Sequence, residues 1–220
     1  PSTAVFVPPP PDKVVELMSD LEQFIHADTL SQSPLIKAAL VHAQFETIHP
    51  FLDGNGRLGR LLIVLMLLDS GVLDVPILYV SLYLKSKREQ YYKLLSETRF
   101  EATWMEWVIF FLEGIEETSA QGVLTAQNLL ALFERDLAKI RDAGSPADSV
   151  LRIFDAMKEN MVAGANALAD ITGLTTPTVR TALSRLGELG IITQANDVKR
   201  NRLFAYQEAL TILELGTEPL

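Results

Sequence analysis

Cysteine is absent from all 220 residues. That excludes a disulfide framework, a thiol nucleophile and any metal site built on thiolate, and it fits a reducing compartment, with the cytoplasm as the expected location. Only three histidines occur. No Cys or third His stands near His42 and His49, so a metal cluster there is disfavoured. His42 lies on an apolar helix face and reads as a core residue, and His26 reads as a surface one. A surplus of positive charge is also missing. The net charge of −9 argues against general affinity for nucleic acid or an anionic membrane, although it leaves room for a local basic patch. The apolar run Leu61–Leu68 is too short to span a bilayer and suits a buried helix. No signal peptide or lipidation motif is seen. The first residue is Pro rather than Met, which suggests a trimmed piece of a longer protein.

The rest is an ordinary globular composition, 48% apolar and 21% charged, in a length that holds one large or two small domains. The proline-stiffened lead-in "VFVPPPPDKV" cannot be helical before Asp12, which is placed to cap the first helix. Apolar spacing predicts that helix over 13–28, through Val14, Leu17, Met18, Leu21, Phe24 and Ile25. A second helix is expected from Pro34, a good first-turn residue, to Ile48. A third, from Asn55 to Ser70, is apolar nearly all round and is expected at the centre of a bundle. The β-branched and aromatic stretch "VPILYVSLY" reads as an extended or hairpin-like flap. Helices are expected over 84–99, 103–114 and 120–141, with Trp104, Trp107, Phe110 and Phe111 as a core stripe.

"RDAGSPADS" has the composition of a linker. Helices are expected next over 150–159 and 165–172, then "GLTTPTVRTALSRLGELGII" breaks at Gly173 and restarts at Thr176-Pro177. "ITQANDVKRNRLFAY" alternates as a β-hairpin would. Helix, helix, helix, hairpin is the order of a winged helix-turn-helix domain. The expected organisation is therefore a catalytic helical domain over 1–142, a linker over 143–148 and a winged helix-turn-helix over 149–220. Arg180, Arg185, Lys199, Arg200 and Arg202 suit DNA phosphates, and Thr176, Thr178 and Thr181 suit base edges. The interspersed Asp170, Glu188 and Asp197 weigh against DNA, and winged helices also bind protein or dimerise, so DNA contact carries the smaller weight.

The chemistry concentrates in "HPFLDGNGRLGR", His49 to Arg60. Gly54 and Gly56, at alternate positions before a helix, permit the positive-φ turns of an anion nest. The helix start adds unpaired N–H groups and the positive end of a dipole. Arg57 and Arg60, three apart, project from one face with forks that match phosphate oxygens. A carboxylate at Asp53 would repel phosphates unless it holds Mg²⁺. His49, at the exit of the preceding helix, is the natural general base for an attacking hydroxyl. Pro50 ends that helix, and Phe51 is expected to anchor the loop in the core. Base, metal acid, nest and Arg clamp specify transfer of a phosphorus-centred group from a nucleotide.

This segment resembles the signature of the Fic (Fic/Doc) family, H-P-F-x-D/E-G-N-G-R-x-x-R, matched at His49, Pro50, Phe51, Asp53, Gly54, Asn55, Gly56, Arg57 and Arg60. The likeness extends from the proline-rich lead-in to roughly Gly114. It implies a mainly α fold, a Fic-type helical bundle with a short β-hairpin flap, here followed by the small winged helix. It implies Mg²⁺-dependent transfer of AMP from ATP to a Ser, Thr or Tyr hydroxyl of a target protein, the chain itself included. In that scheme His49 is the base and Asp53 the metal ligand. Asn55 with the nest of Gly54 and Gly56 holds the α-phosphate, Arg57 and Arg60 bind the outer phosphates, and Gly59 is counted among the nucleotide-binding residues. The kinase-like Doc branch carries Lys where Gly56 stands, so this chain fits nucleotidyl transfer. Residues 76–80, Pro76, Ile77, Leu78, Tyr79 and Val80, occupy the place of the flap that docks the target as an added strand. Tyr92, ahead of Tyr91, is the candidate for the base or ribose pocket.

Two alternatives stay open: Fic-type transfer or removal of another phosphate-linked group, and a DNA-binding regulator whose Fic part only senses nucleotide. No membrane partner is expected, and a homodimer stays open. Fic proteins are commonly restrained by a helix of pattern S/T-x-x-x-E-G/N, whose Glu pairs with the second motif Arg. Neither Glu113-Gly114 nor Glu159-Asn160 has Ser or Thr four residues before the Glu. In the class with an upstream restraint it would precede Pro1, so these residues are expected to be less restrained than a longer parent.

Overall fold

The computed structural model describes residues 6–27, 33–76, 78–144, 148–196, 198 and 201–214. Their contacts divide the chain into two compact units, the first ending at Gly122 and the second starting at Val123.

The first unit is helical throughout its described residues, with short connections. Helix α1 (Pro11–His26) begins on Pro11, with Pro10 as N-cap and no side-chain cap. Asp12 thus sits inside the first turn, where its charge suits the dipole, rather than capping it. Helix α2 (Pro34–Ile48) ends where expected, at a left-handed His49. Helix α3 (Asn55–Asp69) packs along α2. Helices α4 (Val80–Ser86), α5 (Arg88–Glu101) and α6 (Trp104–Asp142) complete the series. Small residues of α2 decide the packing. Ala38, Ala39 and Ala43 are buried, and they share a core with Ile63 and Leu67 of α3, Tyr91 and Leu95 of α5, and Trp107, Phe110 and Phe111 of α6. The Trp107 indole donates to the Ala39 carbonyl at 2.8 Å, which satisfies the one polar atom that its burial would otherwise strand. On its other side α2 presents Val41, Phe45 and Ile48 to the apolar stripe of α1.

Four expectations are corrected here. The segment read as a hairpin flap forms no strand at Pro76 or Leu78–Val80, and Ile77 lies outside the described residues. Val80, Tyr83 and Leu84 stand at helical spacing and are buried together, so packing of that face overrides the β-prone composition. The two helices expected over 103–114 and 120–141 are one continuous α6. Gly114 does not break it, because a Cβ there would lie 2.5 Å from the Tyr83 ring; the glycine makes room for that ring. Trp104 leaves the core stripe and is 37% exposed. Helix α3 buries one face only: Leu58, Leu61 and Leu65 are exposed, and Asn55, Gly59, Ile63 and Leu67 are buried.

The second unit comprises the latter part of α6, α7 (Asp148–Asn160), β1 (Val162–Gly164), α8 (Ala165–Thr172), α9 (Thr176–Glu188), β2 (Thr193–Gln194), β3 (Leu203–Ala205) and α10 (Gln207–Glu214). The strands form an antiparallel sheet in the order β1-β3-β2, with Val162 opposite Ala205 and Thr193 opposite the same residue on the other side. The division at Gly122 lies upstream of the linker expected over 143–148 because Leu132 and Ile140 of α6 pack with Phe154, Leu168, Leu186 and Tyr206. Asp136 is buried in this unit with every need met. It accepts from Tyr206 at 2.7 Å and pairs with Arg135 and Lys139 at 2.9 and 2.8 Å. Burial pushes its carboxyl up, but these bonds outweigh it and leave the group below the usual range.

His42 is a core residue, as its apolar face suggested. It is 1% exposed, faces the Trp107 ring plane-to-plane and shares a 3.0 Å bond with the Tyr91 hydroxyl. Burial lowers its pKa from 6.5 to about 4, so the folded protein holds it neutral. The folded value lies below the unfolded one; the stabilisation is whole above about pH 6.5 and is lost as pH falls toward about 4. This contributes on the order of 3 kcal/mol. Urea titrations between pH 7 and pH 4 will show that stability term in the natural chain and its disappearance in His42→Gln; equal pH slopes for the two would contradict it.

Candidate active site

The loop between α2 and α3 is closed by one side chain. Asn55 accepts from the Phe51 N–H at 2.9 Å and donates to the Phe51 carbonyl at 2.6 Å. This reciprocal pair occupies both ends of the amide and explains why Asn55 is 2% exposed. Its side chain shapes the loop, so the part it has left to offer a ligand is its backbone N–H. Phe51 is half-exposed and Leu52 fully so; the loop is anchored through Asn55 and not, as expected, through the Phe51 ring.

Gly54 is the N-cap of α3, at φ 85° and ψ 0°, and supplies no side-chain cap. That left-handed geometry suits glycine. The first intrahelical bond runs from Leu58 N–H to the Gly54 carbonyl, so the N–H groups of Asn55, Gly56 and Arg57 point out of the helix start without helical partners. Both guanidinium groups fold back over this turn. Arg57 Nη2 lies 3.5 Å from where a Cβ on Gly54 would stand, and Arg60 Nη1 lies 3.0 Å from the corresponding point on Gly56. Fixed dipole and mobile charge thus meet at one end of α3.

Asp53 is almost fully exposed, and its partner is Arg57 at 3.3 Å. An exposed i,i+4 pair of this kind is worth well under about 1 kcal/mol, so the carboxylate is easily released to a cation. Among the described residues no group of three or more His, Cys, Asp or Glu could hold a metal ion. His49 follows α2 at φ 51°, held by its N–H to the Phe45 carbonyl at 2.9 Å. Its ring is partly exposed, and Nδ1 faces the Glu46 carboxylate at 3.9 Å.

Beneath this loop lie groups that the sequence pattern did not single out. Glu46 is 6% exposed. Burial raises its pKa, with His49, Arg60 and Arg99 pulling the other way. Arg99 of α5 reaches the end of α2, donating to the Glu46 carbonyl at 2.9 Å and to Thr47 Oγ1 at 3.1 Å, and so caps the last turn that carries His49. The available signal was an acid three residues before His49 on an otherwise apolar helix face, the i,i+3 spacing of side-chain neighbours. Of the two tyrosines, Tyr91 is buried against His42 and Trp107, whereas Tyr92 is 55% exposed with Arg88 over its ring. Gly59 is buried under His42 and Glu46, so it fits the core contact of α3 better than the ligand nest.

A family model described as Fic/DOC family matches residues 2–67. A probable protein adenylyltransferase of Aquifex aeolicus (strain VF5) is 36% identical over 86 residues, which is 39% of this chain and 27% of that protein. The protein adenylyltransferase Fic of Drosophila grimshawi is 39% identical over 90 residues, 40% of this chain and 17% of the relative. The match therefore spans less than a third of the length of either curated relative. Among solved structures, a Fic family protein from Desulfovibrio desulfuricans G20 is similar with a TM-score of 0.53 and 26% identity, over 93% of this chain and 58% of that one. Signature, family model and solved fold point the same way: residues 2–67 match the Fic/DOC family model, and the fold is similar to that of a Fic family protein.

Proposed function

We propose that this chain transfers AMP from ATP to a hydroxyl of a target protein, with His49 as general base. The observation that carries the reading is the convergence at the start of α3. Unpartnered N–H groups of Asn55, Gly56 and Arg57 and the guanidinium groups of Arg57 and Arg60 meet there, six residues after a partly exposed histidine. Hydrogen-bond donors and charge so arranged stabilise the oxygens of a phosphoryl centre as charge develops on them. Gly54 and Gly56 leave the space a phosphate needs against the backbone.

In the step proposed, a Ser, Thr or Tyr oxygen attacks the α-phosphorus while His49 takes its proton. The bond from that phosphorus to the bridging oxygen breaks, and pyrophosphate leaves with the bonding pair. Arg57 and Arg60 hold the outer phosphates and so neutralise the leaving group. Asp53 would hold Mg²⁺, which supplies Lewis-acid charge on the phosphate oxygens when bound. Tyr92, with its ring exposed, is available to the base or ribose. Of the expected flap, Leu78 packs in the core and the Tyr79 carbonyl accepts from the Leu82 N–H, so the exposed Tyr79 ring is the part offered to a target.

The second unit is read as a winged helix. Within it the basic residues are unequally engaged. Arg185 is paired with Glu188 at 3.2 Å and Arg135 with Glu208 at 2.7 Å, and the Thr178 and Thr181 hydroxyls are bonded to residues 175 and 177. Arg180 and Arg202 line a cleft of about 860 Å³ with Ser184 and Asn201. Lys199, Arg200 and Asp197 lie outside the described residues. Among the described residues these two arginines line the cleft, and with a net charge of −9 protein contact is the favoured use of this unit.

Incubation with ATP labelled at the α-phosphate, Mg²⁺ and candidate target protein tests the central reading. Label should appear on protein and fall at least about a hundredfold in His49→Ala. Label from the γ-phosphate but not the α-phosphate, or none on any protein, would overturn AMP transfer. Arg60→Ala should raise the KM for ATP and lower the rate together; an unchanged KM would remove Arg60 from the phosphate site. For the second unit, absence of DNA retention at all salt concentrations in a titrated shift assay is the expected result, and a steep salt-dependent shift that vanishes in Arg180→Ala would reverse the assignment.

A further inference from the structure

Two acids are buried among the described residues, and they differ in one respect. Asp136 has its carboxylate bound by Tyr206, Arg135 and Lys139. Glu46 Oε1 has no hydrogen-bond partner among the described residues, and the ion-pair partner that Glu46 has there is His49, at 3.9 Å from Oε2. An unsatisfied buried carboxylate oxygen costs stability, and a leucine or glutamine would fit α2 more cheaply. A group kept at a cost beside a reactive side chain is a candidate for function.

We infer that Glu46 is a positioning residue for His49, the buried acceptor that holds the imidazole with its proton on Nδ1 and leaves Nε2 for the incoming hydroxyl. The inference rests on the proposed role of His49 as base. Its geometry has three parts. Glu46 and His49 are one helical turn apart, on the same face at the end of α2. Nδ1 is the nitrogen that faces the acid, so the ring must present its other nitrogen away from it. The acid is fixed from below: a Cβ on Gly59 would lie 2.8 Å from Glu46 Oε1, so the carboxylate fills the space that a glycine in α3 leaves open. Arg99 secures the backbone at the same point through the Glu46 carbonyl.

At 3.9 Å the contact is electrostatic, and such contacts in free enzymes commonly shorten when substrate is bound. A carboxylate behind the ring would do two things for the transfer step. It selects the tautomer whose free nitrogen can accept a proton, and it stabilises the imidazolium that forms once the hydroxyl proton has moved. Burial raises the Glu46 pKa, while His49, Arg60 and Arg99 pull it the other way.

The experiment is nitrogen-15 NMR of the His49 ring in the free chain, with kinetics of α-labelled ATP transfer in parallel. The natural chain should show the Nδ1–H tautomer as the main neutral form, and Glu46→Gln should move the population toward Nε2–H. The same variant should lower kcat about a hundredfold with little change in the KM for ATP, while its unfolding midpoint stays level or rises. Gly59→Ala leaves both titratable groups in place but displaces the carboxylate, and it should produce the same tautomer shift; it serves as the test if Glu46→Gln fails to fold. An unchanged His49 tautomer in the folded variant overturns the inference, as does a loss of stability with unchanged kcat. Absence of AMP transfer in the natural chain with the tautomer shift intact would count against the proposed reaction alone, since the NMR signal does not depend on it.

Discussion

The reciprocal pair between the Asn55 side chain and the Phe51 backbone is the contact on which the site depends. Without it the loop from His49 to Gly54 would have no fixed path, because Phe51 and Leu52 leave the core and Asp53 is exposed. With it, the end of α2 and the start of α3 are tied across a short turn. His49 at the end of one helix is then set at a defined distance from the N–H groups of the other. The left-handed His49 and Gly54 at the two ends of this loop are the backbone consequence of so short a closure, and glycine takes the second of them without strain.

Beneath the loop lies a polar layer inside an otherwise apolar bundle. His42, Glu46, Tyr91 and Arg99 connect α2 to α5 through the His42–Tyr91 bond and two from Arg99, one to Thr47 Oγ1 and one to the Glu46 carbonyl. Such layers are costly, and each member here is either bonded or adjacent to the motif. Helix α3 carries the other half of the arrangement. Its buried face is short, Asn55, Gly59, Ile63 and Leu67; Asn55 closes the loop and Gly59 makes room for Glu46 and His42.

Much of this was legible in the residues. Helix α2 could be bounded by Pro34 and by His49-Pro50, and the left-handed turn at Gly54 by the need for positive φ before a helix; Gly56, expected to share that turn, lies instead inside α3 without positive φ. The order of helices and hairpin in the second unit was also legible, because Gly173 and Thr176-Pro177 punctuate it. The rest depended on contacts between distant residues. Val80, Tyr83 and Leu84 look β-prone, and only the core that covers them makes a helix of α4. Gly114 looks like a stop until the Tyr83 ring is seen in its place. Leu58, Leu61 and Leu65 have the composition of a buried face, and nothing local tells that they stay exposed in this unit. Glu46 was missed because an acid in a helix is read as a solvated one until its burial is known.

The central claim is that the start of α3 is a nucleotide phosphate site served by His49. A crystal structure of the chain with Mg²⁺ and a non-hydrolysable ATP analogue tests it most directly. The account predicts phosphate oxygens on the N–H groups of Asn55, Gly56 and Arg57, guanidinium contacts from Arg57 and Arg60, and the His49 ring facing the α-phosphate. A nucleotide bound elsewhere, with this turn free of phosphate, would contradict it.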